Sequence, residues 1–179
     1  MYEEIRLEKV EGFCGRCEEY AKKNMTTPTK IAIMSCEGAC TRGEISRRAA
    51  NLIAYKLSPE NTVRICLGSA FTKEGGQRDL VRKTHKAIAI EGCFVSCSSR
   101  MMKGAIPELK PVVVHADEIH NRRELPFGAN EVSDEVFNDL AKITADEIVA
   151  KYVLGNADAT AGAKKCSSCS SCKFKMSKL

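Results

Sequence analysis

No tryptophan occurs in the sequence, and aromatic residues make up only 6% of it. A nucleic-acid interface would be expected to show a basic stripe interleaved with aromatic rings, and no such stripe is present. The 28 Lys and Arg against 23 Asp and Glu leave a net charge of only +5, an excess that shrinks if several cysteines are thiolates on a cation. Apolar runs of membrane-spanning length are missing, so no membrane partner is expected. The opening stretch MYEEIRLEKVEG is charged and lacks the apolar core of a signal peptide. The Gly-rich turn after residue 67 lacks the G-x4-G-K-[ST] order of a phosphate-binding loop and reads as a lid or a plain connection. These absences leave a cytoplasmic protein in a reducing compartment as the expectation.

What the chain has instead is cysteine, ten in 179 residues. A chain of this length buries a real core without disulfides, so thiols in such a compartment read as ligands or redox groups. Their placement is patterned. Residues 31–40, IAIMSCEGAC, and residues 88–97, IAIEGCFVSC, share five identities in ten aligned positions, Ile, Ala, Ile, Cys and Cys. In both copies a short apolar run ends at a turn and then presents two thiols four positions apart.

Around these copies the pattern is strand alternating with helix. Strands are expected at 31–34, 63–67, 87–90 and 112–114, with a weaker edge strand within 2–13. Helices are expected after Cys17, from about residue 41 to 57 on the stripe Ile45, Ala49, Leu52, Ile53 and Leu57, around 78–85, and after Cys97 as far as Gly104. In that short helix Met101 and Met102 read as core residues. The clearest helix begins after the N-cap Ser133, with Val136, Leu140, Ile143, Ile148 and Tyr152 as its buried stripe and Gly155 as its stop. The fold class expected is α/β, a mainly parallel sheet of about four strands flanked by helices, with Cys-rich N- and C-terminal extensions. Residues 1–29 form a Cys-containing leading segment, 30–155 the α/β domain, and 156–179 a flexible Cys-rich tail.

Parallel strands all point the same way, so Cys36, Cys66, Cys93 and His115 should gather along the carboxyl edge, where open α/β sheets place their ligands. Cys40 and Cys97 follow at helix starts facing the same crevice. Clustered thiolates repel one another, and a soft or borderline cation removes that cost. Cys36, Cys40, Cys93 and Cys97 make a four-sulfur shell suited to Zn²⁺ or an iron–sulfur cluster, with Cys66 and His115 in reserve. Cysteine is also a good small core residue, a reading that weighs most for Cys66. His120 reads as a solvated loop histidine.

Cys14 and Cys17 form a C-x2-C that fits half a metal site, a redox pair or two unpaired thiols. Cys166, Cys169 and Cys172 match the first three ligands of a ferredoxin-type run whose fourth Cys and Pro are missing. Cys14 or Cys17 would complete a second metal or cluster site with them if the termini meet. Alternatively Cys14, Cys17, Cys36 and Cys40 approach a zinc-ribbon spacing. A Cys-rich tail of this kind also suits handing metal or sulfur to a protein partner.

CEGACTRGEISRRAA at 36–50, VRICLG at 63–68 and IEGCFVSCSSRMMKGA at 90–105 resemble the blocks of the DGC-domain family, over roughly residues 30–120. The resemblance implies metal binding, usually described as zinc, at Cys36, Cys40, Cys66, Cys93 and Cys97, and it implies no particular reaction. Glu91 stands where the family has the Asp of its name. The function expected is therefore a metal-binding protein in a structural or sensory role. The alternative is an iron–sulfur or thiol-based redox or sulfur-transfer protein.

Overall fold

Residues 31–35 and 87–91 are apolar at nearly every position, as strands covered on both faces must be. A computed structural model of the chain describes residues 14–68 and 76–155 and places these two runs at the centre of a four-stranded, all-parallel sheet. The described elements are α1 (Gly15–Asn24), β1 (Ile31–Ser35), α2 (Thr41–Leu52), β2 (Thr62–Arg64), α3 (Gly76–Lys83), β3 (Ala87–Glu91), α4 (Cys97–Ala105), β4 (Val112–His115), α5 (Ala116–His120) and α6 (Asp134–Ile148). The sheet order is β2-β1-β3-β4. The expected α/β class is thus observed. The edge strand expected within 2–13, the turn at 69–75 and the tail from 156 onward lie outside the described residues.

The two-residue period of the strands divides the core. Ala32, Met34, Val63, Ile65, Ala87 and Ala89 face one layer and pack with Ala21 of α1, Leu80 and Val81 of α3 and Met102 of α4. Ile31, Ile33, Ile88, Ile90 and Val114 face the other and meet Ala49 and Ala50 of α2, Ala116 of α5 and Ala141, Ala145 and Ile148 of α6. The alanines on α2 and α6 let the helix backbones approach the sheet, while the larger isoleucines come from the strands. A third cluster of Ile45, Phe137 and Leu140 joins α2 to α6.

Three apolar residues depart from their expected places. Ile143 is half exposed, because the buried stripe of α6 runs through Phe137, Leu140, Ala141, Thr144, Ala145 and Ile148, and Ile143 falls on the outer face. Leu57 is exposed because α2 ends in a wider π turn, Ile53–Leu57, closed by the Ser58 N–H on Ile53 O, which shifts the helical phase. Met101 is exposed, whereas its neighbour Met102 is fully buried. Strand β2 stops at Arg64, so Cys66 stands in the loop beyond it. Among the described residues no helix is long and apolar enough to cross a membrane.

Candidate metal centre

The repeated strand-to-thiol segments lie side by side, since β1 and β3 are neighbours, but they are not level. The ladder pairs Ile33 with Ile88 and Ser35 with Ile90, and the Cys36 N–H donates to Ile90 O at 2.9 Å. Alignment by sequence identity would pair Ile33 with Ile90. The lateral register is therefore slipped by two residues, which preserves the face of every side chain. Cys36 consequently stands level with Glu91, and Cys93 lies farther out in the turn.

Three glycines lock these loops together by close approach. A Cβ on Gly43, in the first turn of α2, would lie 2.7 Å from Gly38 O; one on Gly92 would lie 2.8 Å from the Arg42 carbonyl carbon. The Cys36–Cys40 loop, the start of α2 and the turn after β3 thus touch backbone to backbone. Gly92 is required by this contact, since its φ is not positive and the turn itself imposes no left-handed conformation. Arg64, buried at the end of β2, steadies the same loop: its guanidinium donates to Ser35 Oγ at 2.6 Å and forms an ion pair with Glu37.

Above Gly38 the two thiols of the first copy converge. A Cβ on Gly38 would meet Cys36 Sγ at 3.4 Å and Cys40 Sγ at 3.8 Å, so both sulfurs border one small space that a side chain would fill. Cys40 is the N-cap residue of α2 and pairs with Gly128 in an isolated antiparallel bridge. Cys36 is buried, and burial pushes its thiol above the ordinary value; the backbone N–H groups of Gly38 and Gly92 oppose this by donating to the sulfur, and Cys97 and Glu91 are close enough to raise it further.

The second copy is arranged around a buried carboxylate. Glu91 is fully buried, and its oxygens accept from Ser98 N at 3.2 Å, Ser98 Oγ at 2.8 Å and Ser99 N at 2.7 Å. Glu91 therefore caps α4 from the end of β3 and fixes where Cys97, the first residue of that helix, begins. Ser96, the N-cap residue, is left-handed at φ 52° and hydrogen-bonds His115 Nε2 at 3.0 Å. His115 Nδ1 is 3.5 Å from Glu118, so His115 braces the Cys93–Cys97 loop. Phe94, between the two thiols, is 83% exposed.

The remaining thiols fall elsewhere. The Cys66 N–H donates to Gln77 Oε1 at 2.7 Å, and Gln77 Nε2 lies 4.0 Å from Cys17 Sγ. Cys14 is the N-cap residue of α1, and the Cys17 N–H and thiol pull it below the ordinary thiol value. The same thiol contact, together with burial and the neighbouring charges of Cys14 and Cys66, pushes Cys17 up. Cys166, Cys169 and Cys172 lie outside the described residues. His120 is not a solvated loop histidine: it ends α5, is buried, and accepts the Arg122 N–H on Nδ1 at 3.1 Å.

Among the described residues no three of the Cys, His, Asp and Glu side chains are already gathered around a point that would hold a cation. The donor set nevertheless fits one: paired sulfurs over a glycine that leaves them room, backbone amides aimed at one of those sulfurs, and a third thiol close by. Sequence reasoning misses Gly43, Gln77 and the Ser98–Ser99 pair. Each acts through backbone contact or capping, for which a single chain carries no motif.

Fold and site together define an α/β domain with a thiol-bearing carboxyl edge. The DGC-domain family model matches residues 32–140, and the chain belongs to that family. Neither a curated protein nor a solved structure matches it.

Proposed function

We propose that this is a metal-binding protein in which the thiolates of Cys36, Cys40, Cys93 and Cys97 hold Zn²⁺ at the carboxyl edge of the sheet, in a structural or sensory role. The observation that carries this reading is the pair of sulfurs, Cys36 Sγ and Cys40 Sγ, that border one small space over Gly38. Membership of the DGC-domain family agrees with it. Four sulfurs make a closed shell with no open position for water, so hydrolysis is not implied. The shell needs no contribution from Cys66, whose contacts include Gln77 and Cys17.

Thiolate shells accept iron as well as zinc, so the metal is decided by measurement. Anaerobic purification from zinc-replete cells, with total metal analysis and a visible spectrum, should give colourless protein whose zinc content falls by about one equivalent in C93S/C97S. Folded wild-type protein without metal from such a preparation overturns the reading. Brown, iron-bearing protein would replace zinc by a cluster at the same thiols.

A further inference from the structure

We propose that Cys14, Cys17 and Cys66 form a second site, a three-thiolate seat for Zn²⁺ that is distinct from the shell at Cys36, Cys40, Cys93 and Cys97 and leaves one coordination position to an external ligand. Three parts of the chain meet there. Helix α1 brings Cys14 as its N-cap and Cys17 in its first turn, the loop after β2 brings Cys66, and α3 brings the amide that joins them.

The joint is specific. Gln77 is buried, and its two ends address the two halves of the site: the oxygen takes the Cys66 N–H at 2.7 Å, and the nitrogen points at Cys17 Sγ at 4.0 Å. An N–H donor on a sulfur is the kind of outer contact that orients a thiolate ligand. Tyr20, one turn beyond Cys17, donates its hydroxyl to Arg64 O at 3.0 Å, which pins α1 to the end of β2 two residues before Cys66. Burial pushes the Tyr20 phenol up to about 12, so this pin stays protonated throughout the neutral range. Gly76, left-handed at φ 57°, opens α3 against Cys17 and Glu18: a Cβ there would lie 3.9 Å from Cys17 Cβ and 3.1 Å from Glu18 Oε1. The three segments are thus tied to one another without any metal, and closing the three sulfurs on an ion is left to rotation of the side chains, since no three donors are yet gathered among the described residues.

Exposure supplies the route in. Cys14 and Cys66 are exposed and Cys17 half-buried, whereas core cysteines are among the most buried of residues. The C-x2-C spacing lets two sulfurs grip one tetrahedral ion from a single helical turn. With three protein sulfurs the fourth position is open, to water or to an external thiolate. Cys14 and Cys17 precede the family match, which begins at residue 32, whereas Cys66 lies inside it, so this site joins a preceding segment to the shared domain.

The test counts zinc in the full chain, purified under reducing conditions. C14S/C17S should lose about one equivalent relative to wild type. The C93S/C97S variant should retain that same equivalent, and adding C66S to it should remove it. Gln77→Ala should weaken this equivalent by roughly 10- to 100-fold, read by competition with a chromophoric chelator. Circular dichroism of each variant checks the fold, which Ser at exposed Cys14 and Cys66 should leave intact. Unchanged zinc in C14S/C17S overturns the proposal, as does zinc that survives C66S in the C93S/C97S background. A Cys14–Cys17 disulfide in place of zinc, found by differential alkylation of the same preparation, also overturns it. Failure of the sheet-edge shell gives a different pattern, namely zinc that is insensitive to C93S/C97S but lost in C14S/C17S.

Discussion

One methyl group is a sufficient probe of how the two cysteine loops are held together. At Gly43 and Gly92 an added Cβ would press on backbone atoms at 2.7 to 2.9 Å, and backbone cannot swing aside as a side-chain end can. Gly92→Ala and Gly43→Ala should each cost about 1–3 kcal/mol in urea unfolding. Gly104→Ala meets nothing within 4 Å inside α4 and should instead stabilise by about 0.5–1 kcal/mol, so the contrast in sign isolates the packing effect. His120 gives a second prediction of this kind. Burial pushes its imidazole below the ordinary 6.5; Arg42 and Arg122 add to the shift, and Asp117 and Glu124 oppose it. With Nδ1 accepting from Arg122, the neutral ring carries its proton on Nε2, a buried atom with no hydrogen-bond partner among the described residues. A folded pKa below the unfolded one means that the fold favours the neutral ring. That contribution is complete above about pH 6.5 and is lost as pH falls through the depressed folded value. Unfolding free energy should therefore drop between pH 7.5 and pH 5. His120→Asn, whose side-chain oxygen can still accept the Arg122 N–H, should flatten that slope.

Helix α4 owes its start to a side chain six residues upstream. Its first-turn amides at Ser98 and Ser99, and the Ser98 hydroxyl, all point at the Glu91 carboxylate, which is out of contact with water. Glu91→Gln keeps the shape but removes the charge and turns an NH₂ group toward donors. It should destabilise the protein by about 1–3 kcal/mol in denaturant unfolding, and because Cys97 opens this helix it should also speed zinc release to a chelator. The strands β1 and β3 are legible in the sequence because a short unbroken apolar run before a turn is what a strand buried on both faces requires. Helix α6 is legible through Ser133, whose hydroxyl accepts the Val136 N–H at 3.4 Å. The relative level of the two cysteine loops is not legible. Identity between residues 31–40 and 88–97 aligns residue types, but ladder hydrogen bonds choose the register, and a slip of two leaves every face unchanged. Glu91 stands out in the sequence as a departure from the family pattern. Its capping of a helix does not, since nothing in the sequence says that Ser98 and Ser99 fold back over the strand end.

At the scale of the molecule, the apolar layers and the thiols of the described residues occupy different places. The two main clusters lie on the two faces of the sheet and the third between α2 and α6, and of the described cysteines only Cys36 is buried. Metal at the sheet edge would thus tie loops that are already positioned by Gly38, Gly43, Gly92, Arg64 and Glu91, rather than nucleate the fold. This differs from small zinc domains, which have no core of their own and unfold when chelated. Stripping the metal should leave the far-UV circular dichroism nearly unchanged. It should lower the unfolding free energy only by the binding linkage, about 2.7 kcal/mol if free zinc had been held at a hundredfold excess over the dissociation constant. The loss should be local as well. Hydrogen exchange should quicken at residues 36–40 and 92–98, whose amides serve the loops and the start of α4, while β1 and β3, buried on both faces, keep their protection. Global loss of protection on chelation would mean that the core is not self-sufficient and that the metal is a folding determinant. Protection unchanged everywhere would mean that the loops need no metal to hold their shape.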